Sequence, residues 1–148
     1  MRVRTAIPSD LEILADFISE EAREAEAREL DRETLLRGIE AGLNDSSVAA
    51  YWVLIDEAEK PCGTLSVTRE WSEWNAGYYW WIQSVYLEPA HRGRGCMSLL
   101  LEAVLEAART QNCLELRLYV HETNMRAIKS YQKAQFDHSH YKIMTRII

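Results

Sequence analysis

Arg92-Gly93-Arg94-Gly95-Cys96 is the stretch of this 148-residue chain best equipped for chemistry. Gln83 to Leu87 reads as a strand, Glu88-Pro89-Ala90-His91 carries the chain off its end, and a helix opens after the glycines. Glycine lets a backbone turn sharply and approach a ligand without interference from a Cβ. Free N–H groups at a helix start, together with the helix dipole, make an anion site. Arg92 and Arg94 add the charge that suits phosphate oxygens. Any tight strand-to-helix turn would use the same residues, so the local pattern alone leaves both readings open. Two other phosphate loops are excluded by detail. No Gly-Lys-Ser/Thr follows, and Ser98 stands where a dinucleotide fingerprint needs its third glycine.

Other residue types capable of chemistry are scattered or clustered without a defining spacing. Trp71, Trp74, Trp80 and Trp81 fall close together, flanked by Glu70 and Glu73. Glu70, Trp71, Glu73, Trp74 and Trp81 are therefore candidates to hold a substrate, since aromatic faces and carboxylates bind organic cations. The same residues would also serve to cover a sheet or to form a surface between two copies of the chain. Trp80 and Trp81 are consecutive in a strand and must face opposite sides, one toward the core and one toward a pocket. Tyr131, on helical spacing alone, is a core residue beside Ala127 and Ala134. No metal site is expected. Cys62, Cys96 and Cys113 lack metal spacing, and His138 and His140 share a strand face without a third ligand.

Two segments carry a resemblance to a known family. Arg92-Gly-Arg-Gly95-Cys-Met97 resembles the Gln/Arg-x-x-Gly-x-Gly/Ala loop of the GCN5-related N-acetyltransferase (GNAT) superfamily, with Met97 at the last small position. Asn124-Met-Arg-Ala127-Ile-Lys-Ser-Tyr131-Gln-Lys-Ala-Gln-Phe136 is similar to that family's Asn-x-x-Ala-x-x-x-Tyr-x-x-x-Gly-Phe segment, with Gln135 in place of glycine. The resemblance extends over the whole chain, taken as one domain spanning 1–148. It implies acetyl-coenzyme A as cosubstrate, its pyrophosphate held by Arg92, Gly93, Arg94, Gly95, Cys96 and Met97. It further implies that Val85, Tyr86 and Leu87 offer backbone groups to the pantetheine from a strand splayed away from its neighbour, one N–H polarising the thioester carbonyl. Asn124 caps a helix and, by the same resemblance, reaches toward the pantetheine. Tyr131 matches the general acid, and a phenol with an ordinary pKa of about 10 suits a departing alkyl thiolate.

The implied activity is transfer of an acetyl group to a primary amine of a small molecule or peptide by direct attack. The alternative is a non-catalytic module that senses acyl-coenzyme A or binds a protein. No base is assigned. Trp81 stands where some histone-acetylating members carry a glutamate, and Glu70 and Glu73 are the nearest carboxylates in sequence. The family also admits a homodimer.

The elements that must position these residues follow from hydrophobic periodicity. Arg2–Ile7 alternates as a first strand, and Ser9 through Glu12 reads as a capping box for a helix with Leu11, Leu14, Ala15, Ile18 and Ala22 on one side. Asp31 caps a second helix. Strands over 48–56, 64–69 and 78–87 form an antiparallel meander, because their connections are too short for crossover helices, and 70–77 is a loop or a wide hairpin tip between the last two. Strand, loop, helix and strand over 83–121 make a βαβ unit with parallel pairing. Phe136 to Ile148 is expected to close the sheet as one or two strands. The order β-α-α-β-β-β-α-β-α-β, with a further strand optional, gives an α/β domain with a twisted, mostly antiparallel mixed sheet flanked by helices.

Composition bounds the function. At 47% hydrophobic and 27% charged residues the chain is an ordinary globular one, without an apolar run long enough to span a bilayer and without a signal-peptide core. Three cysteines, an odd number without metal spacing, make a reducing, cytoplasmic location the default expectation. The net charge of −6 is uneven: residues 1–60 hold 15 acidic and 7 basic residues, and 61–148 hold 8 acidic and 10 basic. The phosphate-loop half thus tolerates a polyanion, and the front half favours a cation. No dense basic stripe exists, which argues against nucleic acid as a partner.

Overall fold

A computed structural model describes all residues, 1–148. β1 (Arg2–Thr5) leads through a 3-10 turn into α1 (Leu11–Glu26), followed by α2 (Arg32–Asn44). β2 (Ala50–Ile55), β3 (Pro61–Ser72) and β4 (Gly77–Leu87) come next, then α3 (Cys96–Thr110), β5 (Glu115–Leu118) and α4 (Met125–Lys133). The sheet runs in the order β1-β2-β3-β4-β5. The first three pairings are antiparallel and β4–β5 is parallel, as the βαβ reading requires. No helix is long and apolar enough to cross a membrane.

Two hydrophobic layers cover the sheet. Leu100, Leu101, Val104 and Ala108 of α3 pack on one face against Trp52, Leu65, Val67, Trp80 and Ile82. Leu14 and Ala15 of α1 and Ile39 of α2 pack on the other against Val53 and Ile55. Trp80 is buried and Trp81 is half-exposed, the opposite facing that strand geometry demands.

One irregularity decides what faces α1. Ser66 pairs with Ser84 and Val67 with Ile82, so Gln83 is an additional residue bulged out of β4. A bulge exchanges the faces of everything beyond it. Leu87 therefore joins Trp80 and Ile82 in the α3 layer, whereas Tyr86 turns toward α1 and stacks on Phe17 at 5.4 Å.

Three expectations change. α1 begins at Leu11, and Asp10 rather than Ser9 takes the N-cap position. The Asp10 carboxylate is drawn in by Arg4 of β1, at 2.6 and 2.9 Å, and by the Ile7 N–H at 2.8 Å. Of the two readings of 70–77 the structure takes the hairpin, with the ladder running to Ser72 and Gly77 and a narrower tip than expected. Glu70 pairs with Tyr79 and Trp71 with Tyr78, because the Trp71–Tyr78 edge-to-face contact at 5.0 Å extends the ladder. The closing strand over 136–148 does not form. Residues 137–148 lie exposed without a sheet partner, and β5 is the edge. The β5 edge stays open, so alternation of residue types alone does not make a strand without the pairing that would hold it.

Candidate active site

Gly93 and Gly95 adopt φ of 75° and 80°, left-handed values that leave the backbone of this turn facing outward. A Cβ on either would meet nothing within 4 Å. The peptide N–H groups of Gly93 through Met97 donate to no other group in the chain, and Gly95 is the N-cap of α3. The result is an open run of donors at the positive end of a helix dipole. Arg94 is exposed and makes no ion pair, so its charge is free for an anion. Arg92 is committed to the frame. Its Nε donates to the Leu87 carbonyl at 2.8 Å, a terminal nitrogen donates to Glu24 of α1 at 2.9 Å, and its guanidinium lies over the Tyr86 ring. Cys96 is buried as part of the core, an apolar filler at the helix start.

β4 and β5 pair only from Tyr79↔Glu115 to Ile82↔Leu118. Beyond Ile82 the two strands part, and Ser84 to Leu87 keep β3 on one side and no strand on the other. Into this opening the Val85 N–H points away from β3 and donates to Oε1 of Glu21 at 2.9 Å. Glu21 comes from α1 and is half-buried. Burial pushes its carboxyl up to about 7, against the Val85 and Ser84 hydrogen bonds that favour its charged form. Tyr131 of α4 is also half-buried. Burial first, and the Glu21 charge second, push its phenol up to about 12. The ring is held edge-on to Phe136 at 5.8 Å. Asn124 caps α4 by accepting the Ala127 N–H at 3.1 Å, and that cap fixes the helix on which Tyr131 stands.

A cleft of about 900 Å³ adjoins Tyr131 and is lined by Glu70, Trp71, Glu73, Trp74 and Trp81. Trp81 donates from its indole nitrogen to Glu70 and stacks on Tyr119 at 4.5 Å. Arg117, paired with Glu115, lies 3.5 Å from the Tyr79 ring centroid and 5.6 Å from that of Trp81. These aromatic faces thus carry a cation of the protein's own.

Comparison with known proteins decides the family. A model of the Acetyltransferase (GNAT) family matches residues 11–136. The chain belongs to the GNAT family.

Among solved structures, a possible acetyltransferase from Clostridium difficile 630 superposes with a TM-score of 0.92 at 30% identity, covering 99% of this chain and 97% of that one. Ribosomal-protein-alanine N-acetyltransferase from Brucella melitensis biovar Abortus 2308 shares the fold, with a TM-score of 0.79 at 16% identity over 99% of this chain and 100% of that one. The thialysine N-epsilon-acetyltransferase of Bos taurus is 35% identical over 52 residues, a stretch that spans 35% of this GNAT chain and 31% of the relative.

The family's acyl donor suits the turn, because open left-handed glycines, unused N–H donors and a free arginine are what a diphosphate needs. The structure brings Tyr131 into one cleft with the five expected substrate-binding residues, and it sets Val85 to Leu87 in the opening between strands. Glu21 is the residue that sequence reasoning passes over. In the run Ser19-Glu20-Glu21 it looks like one more solvated carboxylate on an acidic helix, and only the bulge at Gln83 brings Ser84 and Val85 beneath it.

Proposed function

We propose that this GNAT domain transfers an acetyl group from acetyl-coenzyme A to a primary amine of a small molecule or peptide by direct attack. The observation that carries this reading is the unused N–H run of Gly93 through Met97, set on two left-handed glycines at the start of α3. Those groups and Arg94 bind the diphosphate, while Arg92 fixes the turn to α1. Val85, Tyr86 and Leu87 offer the unpaired side of β4 to the pantetheine, in the manner of an added strand. The Val85 N–H is the donor for the thioester carbonyl. A thioester is already activated, so no covalent enzyme intermediate is needed, and alignment supplies much of the rate. Tyr131 gives its proton to the departing thiolate. The bovine relative's name, an acetyltransferase at Nε, supports a primary alkyl amine as acceptor.

The test is thiol release from acetyl-coenzyme A across aminoglycosides, polyamines, amino acids and peptide N-termini. Turnover with at least one class is expected, and Tyr131→Phe lowers kcat about a hundredfold or more with coenzyme A affinity retained. Binding of coenzyme A without release by any amine would instead favour an acyl-coenzyme A sensor.

A further inference from the structure

Glu21 has no part in that scheme, yet its surroundings are unusual. It is half-buried on α1 and takes part in no salt bridge, unlike its helix neighbours Glu20 and Glu24. The groups that act on it are the Val85 N–H and the Ser84 hydroxyl from β4, the like charge of Glu26 on its own helix, and the Tyr131 phenol from α4. None is a cation. A half-buried carboxylate without a counter-ion, set at the opening between β4 and β5, is costly to keep, and that cost is relieved by a proton or by a cationic ligand.

Resting on the acetyl-transfer reading, we propose that Glu21 is the proton acceptor for the incoming ammonium, held on the Val85 N–H until the acyl donor's carbonyl displaces it. A single N–H cannot serve a carboxylate and a thioester carbonyl at full strength. When the carbonyl takes that donor, Glu21 loses the bond that most favours its charge, and its proton affinity rises further. The freed carboxylate then lies beside the carbonyl carbon. Burial that raises the carboxyl lowers an ammonium brought into the same opening, which narrows the gap between them.

The steps balance. The ammonium gives one proton to Glu21, and the neutral nitrogen attacks the carbonyl carbon. As the C–N bond forms, the C–S bond breaks with its electron pair on sulfur, and the thiolate takes the Tyr131 proton. The second proton on nitrogen restores the Tyr131 phenol. Glu21 later yields its proton to water, so one proton is released per acetyl group moved. The two residues are coupled in a useful direction. The Glu21 charge is one cause of the raised Tyr131 phenol, so a protonated Glu21 makes Tyr131 a readier donor as the thiolate leaves.

The test compares Glu21→Gln with wild type on two acceptors, an active alkylamine and O-methylhydroxylamine, whose nitrogen is unprotonated at neutral pH. Loss of about a hundredfold in kcat/KM is expected for the alkylamine near neutral pH, with O-methylhydroxylamine within about threefold of wild type. Equal losses with both acceptors, or none with either, would overturn the proposal. Absence of thiol release from wild type with every amine would contradict the acetyl-transfer reading itself. A measurement independent of turnover then decides for Glu21. Carbon NMR of the carboxyl should show Glu21 titrating near neutrality in the free protein and moving upward when acetonyl-coenzyme A, a non-cleavable ketone, is bound. A titration at the ordinary value of about 4, or one that the ketone leaves unmoved, would sink it.

Discussion

Glu21 and Asp10 are both acids drawn into the fold, and their opposite environments give opposite pH signatures. Glu21 sits without a cation and its carboxyl is raised to about 7 in the native state. Between the unfolded value of about 4 and that raised value the native state holds more protons than the unfolded chain, so stability falls as pH rises through this window. Glu21→Gln removes the burden. It is expected to raise unfolding stability by about 1–2 kcal/mol at about pH 8 and by almost nothing at about pH 5, measured by urea denaturation. A site residue whose removal stabilises the protein is what a functional compromise looks like. Asp10 is the reverse case. The Arg4 guanidinium, then the Ile7 N–H, hold its carboxyl below the ordinary value against the cost of burial. Its contribution is present above about pH 4 and is lost as pH falls through the depressed native value. Asp10→Asn is expected to cost about 2 kcal/mol at neutral pH, because it strips a charge-assisted pair of hydrogen bonds from a buried position.

At the scale of elements, the sequence marks most boundaries through local chemistry. Asp31 caps α2 through the Thr34 N–H, Asn124 caps α4, and Asn112 turns left-handed after α3 at φ of 53°, all as their residue types suggest. What is not legible is anything that depends on a partner distant in sequence. The bulge at Gln83, the longer β3–β4 hairpin and the pairing of Arg4 with Asp10 each need the neighbouring strand to be known. The end of α4 offers a test of local strain. Gln135 follows the C-cap with φ of 67°, where the resembling segment has glycine. Left-handed backbone costs a side-chain-bearing residue about 1–2 kcal/mol. Gln135→Gly should therefore stabilise the domain by about 1 kcal/mol, read as a rise in Tm with activity unchanged.

Over the whole molecule, the acidic front half and the basic-leaning second half meet where α1 crosses the end of β4 and the turn after it. α1 brings Glu21 and Glu24, and the turn after β4 brings Arg92 and Arg94. The family and the glycine turn are readable from sequence because backbone geometry there is dictated by two glycines and a helix start. The cleft beside Tyr131 is not, because it is assembled from β3, β4, β5, α4 and residues 137–141 by packing. The C-terminal tail contributes Asp137 to Tyr141 to the lining of the cleft beside Tyr131, and only its last residues stand apart. Ile147 and Ile148 are 97% and 117% exposed. Removing residues 145–148 is expected to change stability by less than about 0.5 kcal/mol, since they bury nothing against the rest of the chain. The claim on which the account rests is that the turn at Gly93 and Gly95 clasps a diphosphate, and titration calorimetry with coenzyme A tests it most directly. A saturable one-site heat is predicted for the wild type, with affinity lower by at least about tenfold in Gly95→Val, whose side chain would strain the left-handed turn and crowd its open face. No heat, or equal affinity in the two proteins, would contradict it.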